Sequence, residues 1–221
     1  MPRTLKAVLF DVDGTLVDSN DAHAAAWVKA FAEHGITVDP IQVRRCIGMG
    51  GDKLMPEVSG IEEESPEGEP IATRRGEIFK NEFLPNLEAF KGAKDLVAAV
   101  TERGYTAVAA SSASKADLKA LLKIAGADKI FDDKTSSDDA DNSKPDPDII
   151  EAALERARSK PAEAVMIGDT PYDIGAARKA GVRIIAFRSG GWLDPDLVGA
   201  IEIYDGPWDL LARFDRSILA T

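Results

Sequence analysis

The chain has 221 residues, and 27 lysines and arginines against 38 aspartates and glutamates give it a formal net charge of −11. This length is enough for one sizeable domain, or for a core with a smaller insert. A content of 44% hydrophobic and 29% charged residues is typical of a globular protein and excludes wholesale disorder. The acidic balance argues against nucleic acid or an anionic membrane as a main partner, because both require a basic face.

The N-terminal segment reaches Asp11 after a run of only four apolar residues, which is too short for the core of a signal peptide. No stretch approaches the roughly 20 apolar residues of a transmembrane helix. The single cysteine, Cys46, cannot form an internal disulfide or a thiolate metal cluster. We therefore expect a cytoplasmic protein with neither a membrane nor a nucleic acid as partner.

Short apolar runs alternate with helical patterns along most of the chain, which is typical of a parallel sheet built from βαβ units. Residues three and four apart form apolar stripes through Leu118–Ala125 and Ile150–Ala157 and predict two of the helices. The acidic run Asp132–Asp141 is interpreted as a solvated loop. The predicted strands are almost continuously apolar, as strands covered on both faces should be: Ala7–Phe10, Thr106–Ala110, Val165–Gly168, Ile184–Phe187 and, more weakly, Ile201–Tyr204.

One region, from Val17 to Pro85, shows helical patterns only. Its first apolar stripe includes Trp27 and Phe31, and Gly35 closes that helix. An all-helical block between the first and second strands is best explained as an insert outside the sheet. We therefore predict an α/β core from residues 1–16 and 86–221, with a helical cap from residues 17–85.

Polar residues that can carry chemistry follow the predicted strands. Two aspartates close the first strand, a serine closes the second, two aspartates follow the run VMIG, and a lysine lies in the loop SKPDP: Asp11, Asp13, Ser111, Asp169, Asp173 and Lys144. The carboxyl ends of the strands in an open α/β sheet face the ligand crevice, so we expect these side chains to converge. Clustered carboxylates without histidine or cysteine are hard oxygen ligands that suit Mg²⁺ better than Zn²⁺. Serine and lysine are suitable donors to phosphate oxygens.

Each of these residues also has an ordinary structural explanation. The aspartates after the first strand could form an acidic turn, Asp169 and Asp173 could sit at a helix start, Lys144 could be a surface lysine, and Ser111 a cap. These explanations require four independent coincidences, all at strand ends. A single site explains them together.

The segments FDVDGTLVDS, AASSAS, SKPDPDI and MIGDTPYD together resemble the four motifs of the haloacid dehalogenase-like superfamily. The resemblance extends from about Leu5 to about Tyr204, and the set of four motifs is highly specific. It implies a Rossmann-like core with helices on both faces of the sheet, an inserted helical cap, and Mg²⁺-dependent phosphoryl transfer.

The resemblance also implies a role for each residue that matches a motif. Asp11 would be the nucleophile and Asp13 the general acid and base, and Lys144 would orient Asp11. The implied Mg²⁺ ligands are Asp11, Asp13 through its carbonyl, Asp169 and, in support, Asp173. The implied phosphate-binding residues are Ser111, Ser112 and Lys144.

The acidic residue Asp13 excludes the dehalogenase and phosphonatase branches, which lack an acid at this position. The insert resembles the caps of phosphoglycolate phosphatases and β-phosphoglucomutases. Such mutases typically carry Glu-Asp in the fourth motif, where this chain has Gly168-Asp169, and a Gly-Val-Ser-Arg type of loop in the cap, where this chain has Ile47–Lys53. Both differences favour hydrolysis over mutase chemistry.

The predicted cap offers two candidate substrate-binding residues, His23 in its first helix and Gly48 in a glycine-rich loop. Mutase relatives also have a histidine near the substrate in this helix, and a plain turn between helices is the competing explanation for the glycine-rich loop. We expect a phosphatase acting on a small phosphorylated metabolite, with a sugar phosphomutase and a catalytically silent phosphate-binding regulatory protein as alternatives. A monomer is favoured, and a dimer remains an alternative.

Overall fold

The computed structural model describes residues 5–131 and 133–220. Residues 1–4 of the predicted core, Asp132 of the acidic run and Thr221 lie outside the described residues. The chain divides into two compact units. One includes the residues up to Asp18 and those from Glu88 onwards, and the other is Ser19–Leu87.

The first unit contains a six-stranded sheet whose paired strands are all parallel. The strands are β1 (Ala7–Phe10), β2 (Thr106–Ala110), β3 (Asp133–Thr135), β4 (Ala164–Gly168), β5 (Arg183–Phe187) and β6 (Glu202–Tyr204), in the order β3-β2-β1-β4-β5-β6. The order reverses around β1, which pairs with β2 on one side and β4 on the other. The crevice at such a reversal is where open α/β sheets bind ligands.

The helices of this unit are α5 (Ala93–Glu102), α6 (Lys115–Ile124), α7 (Asp148–Arg156), α8 (Pro171–Lys179) and α9 (Pro207–Ala212). They cover strands that are buried along their whole length: β1 and β4 have no exposed residue. Leu9 of β1, Met166 of β4 and Ile150 of α7 belong to one buried cluster. The predicted α/β class, with its Rossmann-like parallel sheet, is confirmed. Within the described residues, no helix combines the length and the apolar character needed to cross a bilayer.

The acidic run Asp132–Asp141 was predicted to be a solvated loop, and that prediction is wrong. β3 lies within it and pairs with β2, so that Thr135 is fully buried and Ser136 nearly so. A three-residue edge strand needs little apolar sequence, because its stability comes from the backbone hydrogen bonds to its neighbour. The acidic sequence in and around β3 therefore gave no strand signal.

The second unit contains four α-helices, α1 (Asn20–Glu33), α2 (Pro40–Cys46), α3 (Gly51–Ser59) and α4 (Gly68–Ile78), followed by a π-helical turn and a 3₁₀ turn. The Asp39 carboxylate caps α2 by accepting a hydrogen bond from the Ile41 amide, and proline follows it at the first helical position. Trp27 of α1 is buried, with the Arg75 guanidinium 4.9 Å above its ring. This unit is all-helical, as expected for the insert.

Candidate active site

Asp11 directly continues β1, and its amide still donates to the Ile167 carbonyl of β4. The chain then turns sharply: the Leu16 and Val17 amides both donate to the Val12 carbonyl. Gly14 takes a positive φ of 72°, which a residue with a side chain adopts only at a cost. The turn therefore holds the Asp11 carboxylate at the carboxyl end of the sheet, next to the point where the strand order reverses.

Lys144 lies between two of the predicted carboxylates. Its Nζ is 2.5 Å from Asp11 Oδ1, 2.8 Å from Asp173 Oδ1 and 3.1 Å from the Ala110 carbonyl oxygen. The side chain is 1% exposed, so the ammonium depends on these partners instead of water. Burial lowers the pKa of Lys144, but the carboxylates of Asp11 and Asp173 outweigh it and hold the pKa above its usual value. Lys144 is therefore a permanent cation at this site.

Asp173 reaches the site because of how α8 begins. The Thr170 hydroxyl accepts from the Asp173 amide at 3.1 Å, and Asp173 Oδ2 accepts from the Thr170 amide at 3.0 Å. These reciprocal hydrogen bonds form a capping box. Oδ2 is fixed by the cap, which leaves Oδ1 directed at Lys144. Asp173 thus lies at a helix start, as one explanation predicted, and also contacts Lys144; its predicted role toward Mg²⁺ stays a prediction.

A third carboxylate, Asp169, completes the cluster. Oxygen atoms of Asp11, Asp169 and Asp173 lie within 4.8 Å of one another, and all three residues are buried. The Thr15 hydroxyl lies 2.9 Å from Asp169 Oδ1 and 3.2 Å from Asp11 Oδ2, so its single proton is shared between them. Three buried carboxylates exceed the charge that Lys144 can compensate.

The electrostatics of Asp11 reflect this excess. Burial raises its pKa from 3.8 to about 7; Lys144 opposes the rise, and the nearby carboxylates of Asp173 and Asp13 add to it. A divalent cation among the carboxylates would remove the repulsion. The donor set contains only carboxylate oxygens, which fits Mg²⁺ and does not fit the nitrogen and sulfur preferences of Zn²⁺.

Asp13 is partly exposed and forms a short bridge with Val17 in the turn after β1. Its carboxylate is close enough to influence Asp11. It is not one of the three carboxylates whose oxygens cluster. The geometry therefore gives Asp13 a different environment from the other three aspartates: nearer to solvent and beside the predicted nucleophile.

The hydroxyl groups of the two serines that follow β2 differ in their hydrogen-bond partners. Ser111 is fully buried, and its hydroxyl accepts from the Ala113 amide at 3.1 Å. Ser112 Oγ is buried and has no hydrogen-bond partner in the described part of the chain. A buried hydroxyl without a protein partner is unfavourable unless water or a ligand satisfies it. Ser112 is thus better suited than Ser111 to donate to a phosphate, although the motif alone drew attention to Ser111 first.

Sequence reasoning missed the turn that follows β5. The Ser189 hydroxyl donates to the Gly14 carbonyl at 2.7 Å, although 175 residues separate them. The next residue, Gly190, lies against Asp169. The available signal was the segment RSGG directly after the apolar run of β5, since it marks another loop at the same edge of the sheet.

The two predicted substrate-binding residues of the insert lie in the helical unit. The His23 ring stacks on Phe79, with centroids 4.0 Å apart and an angle of 11° between the planes. Gly48 has a φ of 112°, in the region that favours glycine. Their predicted roles toward a substrate stay predictions.

Comparison with known proteins identifies relatives of this chain. The family model described as haloacid dehalogenase-like hydrolase matches residues 8–187. An N-acetylmuramic acid 6-phosphate phosphatase from Pseudomonas aeruginosa is 28% identical over 97% of this chain and 96% of its own length. A phosphoglycolate phosphatase from Rhodospirillum rubrum is 29% identical over 90% and 87%.

Among solved structures, that of a hydrolase from Pseudomonas syringae superposes with a TM-score of 0.89 at 28% identity, covering 96% of this chain and 98% of that one. The family match spans β1 to β5 and includes every predicted core site residue. The chain belongs to the haloacid dehalogenase-like hydrolase family, in the group that resembles phosphoglycolate phosphatases, and relatives in that family are named phosphatases.

Proposed function

We propose that this protein is a Mg²⁺-dependent phosphatase that hydrolyses a small phosphorylated metabolite through an aspartyl-phosphate on Asp11. The observation that carries the proposal is the position of the Asp11 carboxylate: Lys144 Nζ lies 2.5 Å from Oδ1, and Asp169 and Asp173 lie within 4.8 Å. A buried carboxylate that is oriented by one fixed cation and surrounded by hard oxygen ligands suits nucleophilic attack on a phosphoryl group.

In the first half-reaction, an Asp11 oxygen attacks phosphorus and the bond from phosphorus to the ester oxygen breaks. The departing alkoxide takes a proton from the Asp13 carboxyl group and leaves as the alcohol. Lys144 keeps Asp11 oriented and offers positive charge to the phosphoryl oxygens. The unpartnered Ser112 hydroxyl would donate to one of those oxygens.

In the second half-reaction, the Asp13 carboxylate takes a proton from a water molecule while the water oxygen attacks phosphorus. The bond between phosphorus and Asp11 breaks, which releases inorganic phosphate and restores the Asp11 carboxylate. Asp13 thus acts as acid and then as base, and its partly exposed position supports that use because it can reach both alcohol and water.

The residues that would hold Mg²⁺ are Asp11, the Asp13 carbonyl and Asp169, with Asp173 in support. Bound there, the cation would supply positive charge that compensates the carboxylates and the transferring phosphoryl group. The fit rests on the all-oxygen donor set and on the excess of buried negative charge that Lys144 leaves uncompensated.

Packing around Gly168 favours hydrolysis over the mutase alternative. The mutases that this chain resembles typically carry glutamate at this position. A Cβ on Gly168 would lie 2.7 Å from Asp173 Cγ and 2.8 Å from Asp173 Cβ. A larger side chain there would displace Asp173 from Lys144, so the fourth motif of this chain is built around glycine.

We further propose that residues 17–85 act as a specificity cap, with His23 and Gly48 contacting the substrate. The names of the relatives suggest phosphoglycolate or a sugar phosphate as the kind of substrate to try first. Phosphate release over a panel of about a hundred phosphorylated metabolites tests this. A His23→Asn variant should lose activity on the preferred metabolite and retain it on p-nitrophenyl phosphate.

The chemical step is tested with p-nitrophenyl phosphate in Mg²⁺. Asp11→Asn should lower kcat at least about a thousandfold, and EDTA should abolish activity. Glu102→Gln, at an exposed position at the end of α5, is the matched control and should behave as wild type.

Asp13→Asn should release a burst of nitrophenol and then turn over slowly, because this leaving group needs no proton whereas the attacking water needs a base. Full activity of Asp11→Asn would refute the proposed nucleophile. Steady turnover of Asp13→Asn without a burst, at the wild-type rate, would refute the proposed base.

A further inference from the structure

The turn after β5 is held firmly at the edge of the sheet that carries the carboxylates. β5 is buried from Ile184 onwards, and a 3₁₀ turn, Arg188–Gly190, follows it directly. The Arg188 guanidinium forms ion pairs with Asp194 at 2.6 Å and Asp205 at 2.7 Å. The neighbouring Gly191, with a φ of 87°, ends the turn. The backbone between these points has little freedom to shift.

Gly190 of this turn is in contact with Asp169. A Cβ built on Gly190 would lie 1.8 Å from Asp169 Oδ2, 2.6 Å from its Cγ and 2.8 Å from its Cβ. Gly190 is not among the residues with positive φ, so its backbone conformation would accept any amino acid. What requires glycine at this position is therefore the Asp169 side chain.

A small rotation of the Asp169 carboxylate would not make room for a side chain at position 190. Asp169 is fully buried, and its Oδ1 accepts the hydrogen bond from the Thr15 hydroxyl at 2.9 Å. Its Cβ as well as its carboxylate would be too close to a new side chain, so rotation of the carboxylate alone would not relieve the overlap. A methyl group at position 190 would push the whole side chain out of the cluster that it forms with Asp11 and Asp173.

The same turn also contacts the loop of the predicted nucleophile, because Ser189 Oγ donates to the Gly14 carbonyl at 2.7 Å. Ser189 thus contacts the loop after β1, and Gly190 contacts the residue that follows β4. Groups that orient metal ligands without binding the metal commonly change metal affinity when they are altered.

We propose that the turn Arg188–Gly190 is a positioning element of the metal site. Because Gly190 has no side chain, Asp169 can occupy the position from which it would bind Mg²⁺. This inference rests on the proposed Mg²⁺ site. Gly190 touches neither substrate nor metal in this account and acts only through Asp169.

The test is calorimetric titration of Mg²⁺ into the protein without substrate. Gly190→Ala should weaken Mg²⁺ binding about 10–100-fold, the range found for altered partners of metal ligands. Gly104→Ala is the matched control: Gly104 has a φ of 85°, lies at the amino end of β2 away from the site, and has no atom within 4 Å of an added Cβ, so the substitution should strain the backbone and lower the melting temperature but leave Mg²⁺ affinity unchanged. Equal Mg²⁺ affinity of Gly190→Ala and wild type would overturn the inference. A wild-type protein that takes up no Mg²⁺ would overturn the proposed function instead.

A second measurement keeps the inference testable if Gly190→Ala folds poorly. In EDTA, adding Gly190→Ala to the wild type should lower the free energy of unfolding. Adding it to Asp169→Gly should not, because the side chain that the new methyl group would overlap is absent. The same loss of stability in both backgrounds would overturn the inference, since it would show that the methyl group meets something other than Asp169.

Discussion

Replacing Asp11 with asparagine should make the metal-free protein more stable at pH 8, although it removes the proposed nucleophile. Asparagine has nearly the shape of the protonated carboxyl group and carries no charge. In the folded protein, burial and the neighbouring carboxylates raise the pKa of Asp11 to about 7, against 3.8 in the unfolded chain. The variant removes the cost of ionising this group.

The size and sign of the effect follow from linkage. A shift of about three pKa units, at about 1.4 kcal/mol per unit, corresponds to about 4 kcal/mol. Below pH 3.8 the group is protonated in both states and the stabilising contribution of its raised pKa is fully present. That contribution is lost as the pH rises through 7. The difference between Asp11→Asn and wild type should therefore grow from near zero at pH 4 to its full value above pH 7.

Urea denaturation in EDTA, between pH 4 and pH 9, measures this difference. Glu102→Gln is the control, since it removes an exposed carboxylate and should leave the pH profile unchanged. Adding Mg²⁺ should stabilise the wild type more than Asp11→Asn, because the variant keeps Asp169 and Asp173 but loses the charge at position 11. If Asp11→Asn were less stable than wild type at pH 8 in EDTA, the account of an overcharged, buried cluster would be refuted.

Three further predictions concern single side chains. Thr15→Val, which keeps the shape but loses the hydroxyl shared by Asp11 and Asp169, should weaken Mg²⁺ binding about tenfold in a calorimetric titration; unchanged affinity would contradict it. Because burial raises the pKa of the Cys46 thiol, that thiol should react slowly with a disulfide reagent at pH 8 until urea is added, and fast labelling of the native protein would count against this. Tyr105→Phe loses the hydrogen bond from the buried hydroxyl to the Leu219 carbonyl and should lower the free energy of unfolding by about 1 kcal/mol in urea titrations; no change would show that this bond is not needed.

The sheet was largely predictable from the sequence because its strands are buried on both faces. Thr106–Ala110 was predicted with the observed bounds, and Ala7–Phe10 likewise. β3 was not predictable in the same way, since its three residues carry no apolar run and its pairing with β2 is a property of the fold. The helical insert was visible because no apolar strand run interrupts it.

The site residues that lie in a motif at a strand end were predictable from the sequence. Those whose position depends on contacts between separate loops were less so. The cluster of Asp11, Asp169 and Asp173 followed from strand ends meeting at one edge. The preference for Ser112 over Ser111 depends on which hydroxyl already has a partner in the local turn, which no spacing reveals. The contact of Gly190 with Asp169 joins two separate loops and needed the folded backbone to be seen.

The central claim, that Asp11 carries the phosphoryl group, is tested most directly by trapping the intermediate. Wild-type protein and Mg²⁺ are mixed with p-nitrophenyl phosphate, quenched in acid within one turnover and reduced with borohydride, which converts an aspartyl-phosphate into homoserine. Peptide mass spectrometry should find homoserine at position 11, and none there when phosphate ester or Mg²⁺ is omitted. Turnover of the ester with an unmodified Asp11, or with homoserine at another aspartate, would contradict the account.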